Sequence, residues 1–137
     1  MPQNVTVTVR SGDGVQSLAS GTLTALGEGW LLRCTEQTED GPVISTCTVT
    51  ENAVVLQRSG AVRALFAFRE GERHEAVYVT AAGNLPLSLV TDRLRMRFGA
   101  RGGLIDLRYR LWSGAQALGE RRITIRVRPV EQEDNTI

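Results

Sequence analysis

The sequence predicts an all-β fold, a closed antiparallel meander barrel of about eight to ten strands. Three observations carry this. Apolar and polar residues alternate with period two along most of the 137 residues, and no stretch shows a helical period. Clusters of Gly, Asp, Asn, Glu and Ser break the alternation at hairpin spacing, the pattern of sandwiches and barrels. The connections are all short, which favours an up-and-down meander over a Greek key with its long crossing loop. Closing such a meander also removes exposed sheet edges.

The elements follow in order. Val5, Val7 and Val9 alternate with Thr6, Thr8 and Arg10, and Ser11-Gly12-Asp13-Gly14 turns the chain. Strands are then expected over 15–26, 30–36 and 43–50, separated by Gly27-Glu28-Gly29 and Glu39-Asp40-Gly41-Pro42. Further strands are expected over 53–58, 61–68, 73–80, 84–89, 93–98, 104–112 and 118–128, with Val90-Thr91-Asp92 read as a break. Gly99-Ala100-Arg101-Gly102-Gly103 reads as a hairpin loop, because it lacks the strand-to-helix context of a phosphate loop. Ile105, Leu107, Tyr109 and Leu111 share one face, against Asp106, Arg108 and Arg110. Ile123, Ile125 and Val127 likewise oppose Arg122, Thr124, Arg126 and Arg128. One domain is expected over 1–137, with its core over 4–128 and a frayed acidic tail over 129–137.

The hairpin around Glu39–Pro42 bears on the two cysteines. A two-residue turn at Asp40-Gly41 would ask Pro42 for a backbone donor it does not have. A four-residue loop bounded by Thr38 and Val43 avoids this and sets Cys34 directly opposite Cys47.

Composition narrows the function classes. Two cysteines are too few for a disulfide framework, no CxxC pair is present, and no segment approaches a membrane span or a signal peptide. A cytoplasmic protein with reduced thiols is expected. The one histidine, His74, lies beside Arg73 and Glu75 and reads as a surface residue. No catalytic signature, metal-ligand set or cofactor motif occurs, so no enzyme activity, metal or cofactor is expected.

Several local patterns resemble the bacterial YwiB-like proteins, a domain family of unknown function. They are Leu56-Gln57-Arg58-Ser59-Gly60-Ala61-Val62, then Tyr78-Val79-Thr80-Ala81-Ala82-Gly83-Asn84-Leu85-Pro86-Leu87 followed by Thr91, and Leu107-Arg108-Tyr109-Arg110-Leu111. Glu36 stands where members carry a glutamate ending the third strand, and Cys34 departs from the aromatic ring expected there. The resemblance spans residues 4–128. It implies a calycin-like, lipocalin-like barrel and no activity.

Two candidate sites emerge. Glu36 and Arg58 end otherwise apolar strand segments, where a barrel mouth would lie, with Tyr78 as a hydroxyl partner. An Arg–carboxylate pair there could orient the head group of a small apolar or amphipathic ligand. Trp30, Leu32, Phe66, Phe68, Tyr78, Tyr109 and Ile125 are the expected cavity lining. The alternative is a basic surface for RNA or an acidic protein partner. Residues 93–128 hold ten arginines against two carboxylates, whereas 1–92 hold six against ten. Arg93, Arg95, Arg97, Arg108, Arg110, Arg122, Arg126 and Arg128 form this surface. All sixteen basic residues are arginine, which suits phosphate and carboxylate, though codon bias in a GC-rich genome gives the same composition. No membrane partner is expected, and the oligomeric state is open.

Overall fold

A computed structural model describes residues 2–130. Ten antiparallel strands run through them: β1 (Gln3–Ser11), β2 (Gln16–Leu26), β3 (Gly29–Thr38), β4 (Gly41–Val49), β5 (Ala53–Gly60), β6 (Ala64–Arg69), β7 (Arg73–Thr80), β8 (Gly83–Gly99), β9 (Gly102–Ser113) and β10 (Gln116–Pro129). They form one sheet in the order β6-β5-β4-β3-β2-β1-β10-β9-β8-β7, a nearly closed meander barrel. The sheet is open between β6 and β7, although these two strands follow each other in sequence. Among the described residues no helix is long and apolar enough to cross a membrane.

Three contacts bring the open edges together. Arg63 and Val79 exchange two backbone hydrogen bonds of 2.9 and 2.8 Å. At the other end the Glu70-Gly71-Glu72 turn docks on β8. Gly71 N–H donates to the Thr91 carbonyl (2.8 Å), Thr91 N–H to the Glu72 carbonyl (3.2 Å) and Leu94 N–H to Glu70 Oε1 (3.2 Å). Between these points the His74 ring places Nε2 3.0 Å from the Leu65 carbonyl oxygen. His74 is therefore half-buried at the seam rather than a plain surface residue, because the missing ladder leaves that carbonyl for a side chain to satisfy.

The expected break at 90–92 is a β-bulge inside a single 17-residue strand. Register shifts between Thr91 and Arg93, and the extra residue, Asp92, accepts bonds from Arg110 on the outer face. The bulge switches the alternation from Leu87, Leu89 and Thr91 inward to Leu94, Met96 and Phe98 inward. A phase change of that kind looks like a turn in sequence. The 99–103 run is the expected hairpin, with Gly99 paired to Gly102. Gly103 cannot carry a side chain, since a Cβ there would overlap the Arg97 carbonyl oxygen. Pairing also outlasts the expected core end at 128. Pro129 is in β10, and Val130 N–H donates to Asn4. The rest of the expected tail, 131–137, lies outside the described residues.

The interior fills from both halves of the barrel. Val5, Val7, Ile105, Leu107 and Val127 meet Leu32, Cys47, Val54 and Phe68 in one cluster, each at most 6% exposed. Burying each such aliphatic or aromatic side chain contributes about 1.5–3 kcal/mol. The barrel is thus packed at mid-height.

The cysteine register differs from expectation. The turn is the two residues Glu39 and Asp40, closed by the Thr38–Gly41 pair with Gly41 at φ 119°. Leu32 stands opposite Cys47 and Cys34 opposite Ser45, so the thiols share a face but lie diagonally. Shifting the turn by one residue puts Pro42 in the pair after the closing one. Antiparallel pairs alternate between hydrogen-bonded and not, so β3 needs no donor from Pro42 there. Both cysteines are free. Burial, reinforced by the nearby Cys34, pushes the Cys47 thiol up to about 12.

Two outcomes follow. Ile105→Ala, at a fully buried position, lowers stability by about 2–5 kcal/mol in a denaturant titration. Cys47 is protonated in both states below the ordinary thiol range. As pH rises from 9.0 towards about 12, only the unfolded state ionises, so stability falls across that window. Cys47→Ala flattens this part of the pH–stability curve, and in the native wild type Cys47 resists an aqueous thiol reagent at neutral pH.

Candidate functional site

The inward phase of three strands assembles the predicted polar group. Leu32 and Cys34 lead along β3 to Glu36, and Val54 and Leu56 lead along β5 to Arg58. Register places Glu36 opposite Val43, and Val43 opposite Gly60, two residues beyond Arg58. Tyr78 comes from β7, opposite Leu85, and reaches Arg58 only because the Arg63–Val79 bridge draws β7 against β6. Arg58 Nη1 donates to the Tyr78 hydroxyl at 2.9 Å, and Arg58 Nη2 donates to Glu36 Oε2 at 3.1 Å. The Arg58 side chain is 24% exposed and that of Glu36 59%. A guanidinium offers five N–H donors, of which these partners engage two.

Beneath the trio lies a run of tilted aromatic rings. Phe66 and Tyr78 are 6.1 Å apart between centroids, Phe66 and Phe68 6.4 Å, and Phe68 and Tyr109 5.2 Å. Phe66, Tyr109, Leu111 and Ile125 are only partly buried, although they pack against the core. Phe68 is 5% exposed and forms the floor rather than a wall. Leu32 is buried with it. Burial pushes the Tyr109 hydroxyl above its usual range, and the Arg121 guanidinium partly opposes that. Arg121 stands opposite Tyr109 on the inward face of β10. It is in phase with Ile123 and Ile125, so the alternation could have found it. On β8, opposite Tyr109, the Thr91 hydroxyl is fully buried with no hydrogen-bond partner among the described residues.

Trp30 belongs to the other mouth. There it joins Val49, Met96 and Phe98 in an apolar cleft of about 320 Å³ rimmed by Glu28, Thr50 and Glu51.

The predicted basic surface divides in two. Arg95 pairs with Glu70 (2.7 Å), Arg108 with Glu120 (3.3 Å), Arg110 with Asp92 (2.9 Å) and Arg122 with Asp106 (3.6 Å). Arg93, Arg97, Arg126 and Arg128 make no ion pair among the described residues. Trp112 is covered, with the Arg73 and Arg110 guanidinium carbons 5.9 and 5.5 Å from its ring. Among the described residues no group of three His, Cys, Asp or Glu is placed to hold a metal ion.

A family model described as a domain of unknown function (DUF1934) matches residues 3–125. Among curated proteins none matches. The solved structure titled "Crystal structure of ywiB protein from Bacillus subtilis" superposes with a TM-score of 0.81 at 24% identity, covering 95% of this chain and 94% of that one. That likeness is one of fold.

The exposure of Glu36 keeps its pair with Arg58 well solvated. A double-mutant cycle on Glu36→Ala and Arg58→Ala therefore yields a stability coupling of about 0–1 kcal/mol, measured by denaturant unfolding.

Proposed function

This chain belongs to the DUF1934 family of unknown function, and from that premise we propose that it is a non-enzymatic binding protein. Its Arg58 mouth takes the head group of a small anionic amphiphile. The observation that supports this reading is a guanidinium on the inner face of an apolar barrel end, engaged by Tyr78 and Glu36 through only two donors. Stability is a poor reason to keep it there, because an ion pair this exposed contributes little. A carboxylate suits the remaining donors, since Arg meets it through two parallel bonds. Tyr78 and Glu36 hold the fork, so less side-chain entropy is lost when a ligand docks. The apolar part of the ligand lies against Phe66, Tyr109 and Leu111 and stops at Phe68. The filled middle of the barrel keeps that part short.

Anilinonaphthalene sulfonate, an anionic apolar fluorophore, tests the reading, with decanoate as competitor. The wild type brightens the dye at one site and decanoate displaces it. Arg58→Ala weakens binding about ten- to a hundredfold, the worth of a charge-assisted hydrogen bond, and Arg58→Lys falls between. Trp30→Ala, at the opposite mouth, leaves affinity unchanged. Dye binding that is absent, indifferent to Arg58→Ala, or lost with Trp30→Ala overturns the reading.

A further inference from the structure

Nine arginines make no ion pair among the described residues, and five of them gather on one outer face. Arg126 stands opposite Thr8 on β1 and Leu104 on β9, and Arg128 opposite Thr6. Arg97 on β8 is also opposite Leu104, and Arg10 on β1 faces Thr124. Arg101 occupies the β8–β9 turn. Three clefts adjoin along this outer face and share these residues. One of about 340 Å³ is lined by Arg97, Arg101, Leu104, Arg126 and Arg128. One of about 300 Å³ is lined by Thr8, Arg10, Gln16, Thr124, Arg126 and Arg128. The third, about 760 Å³, reuses Arg101 and Arg128 beside Gln3 and Asn4. None of the five arginines has a carboxylate partner among the described residues, whereas Arg95, Arg108, Arg110 and Arg122 on β8, β9 and β10 do.

We infer that this face, built around Arg10, Arg97, Arg101, Arg126 and Arg128, binds the phosphate backbone of RNA. Five like charges on one face repel one another, and a run of phosphates removes that repulsion while releasing counterions. Guanidinium groups meet phosphate oxygens in the same two-pronged geometry as carboxylates. No aromatic ring lines the three clefts, so bases are not stacked and the contact is with the backbone rather than the sequence. Thr8, Thr124 and Gln16 set hydroxyl and amide groups between the arginines. These can exchange hydrogen bonds with ribose 2′-hydroxyls, which DNA lacks. This surface is on the outside of the barrel and does not depend on the ligand reading of the Arg58 mouth.

Fluorescence anisotropy with a labelled mixed-sequence single-stranded RNA of about 20 nucleotides tests it, at roughly 50 mM salt and above. The acidic residues Glu131, Glu133 and Asp134 follow Val130 directly. The full chain and a chain ending at Val130 are therefore both titrated. Binding is expected to weaken with salt by about 0.7 logarithmic units per phosphate contact for each tenfold rise. The double variant Arg126→Ala/Arg128→Ala loses at least about tenfold in affinity and about 1.4 from the salt slope. The pair Arg108→Ala/Arg122→Ala, whose arginines are held by Glu120 and Asp106, changes the slope little. Circular dichroism establishes that each variant is folded. Absence of binding by both chain lengths overturns the inference. So does binding that Arg126→Ala/Arg128→Ala leaves unchanged, or DNA of the same sequence held as tightly as the RNA.

Discussion

The two backbone bonds between Arg63 and Val79 return β7 to β6, and the rest of the molecule depends on that return. A row of unpaired N–H and C=O groups on each edge would invite another chain. Nine ladders satisfy the other strands, but β6 and β7 share no ladder, and among the described residues the hydrogen bonds that close the gap are at this bridge, at His74 and at the Glu70–Glu72 turn. The turn can dock because the bulge in β8 exposes Thr91 and Leu94 backbone groups to it. Without the closure Tyr78 would not reach Arg58, Phe66 would lack its partner ring, and the inner face would be an open sheet.

The packed middle makes the two mouths electrically different places. Arg58 and Arg121 lie at one end with aromatic rings below them, whereas Glu28 and Glu51 rim the Trp30 cleft at the other. Leu32, Val54, Phe68 and Leu107 between them exclude water and prevent one mouth from serving as the far end of the other's cavity. On the outside, Arg95, Arg108, Arg110 and Arg122 find their carboxylates on a neighbouring strand or in the docked turn, and five uncompensated arginines remain where β1, β8, β9 and β10 run together.

Much of this was legible in the alternation. The faces of β9 and β10 read correctly because long strands with a fixed period have only one register that buries their apolar side. Glu36 and Arg58 stand out in the sequence as charged residues that end otherwise apolar strand segments, with Tyr78 as a hydroxyl partner, and the fold joins the three. Three features escaped for definable reasons. The bulge at Thr91–Arg93 changes phase within a strand, which a fixed period reports as a break. The hairpin before β4 moved by one residue because alternating bond patterns excuse Pro42, so Cys34 met Ser45 rather than Cys47. The division of the arginines was invisible because Glu70 sits 25 residues from Arg95 and Asp92 18 from Arg110, separations that only the docked turn and the bulged β8–β9 ladder bring within bonding distance.

The pairing of β1 with β10 has a consequence for how the barrel comes into being. It ties Val5 to Pro129, so β1 waits almost the whole length of the described chain for one of its two neighbours. Contacts of such separation make for slow folding, since the entropy of a large loop is lost before the contact rewards it. Until residue 129 has left the ribosome, β1 presents an uncovered edge of alternating valine and threonine.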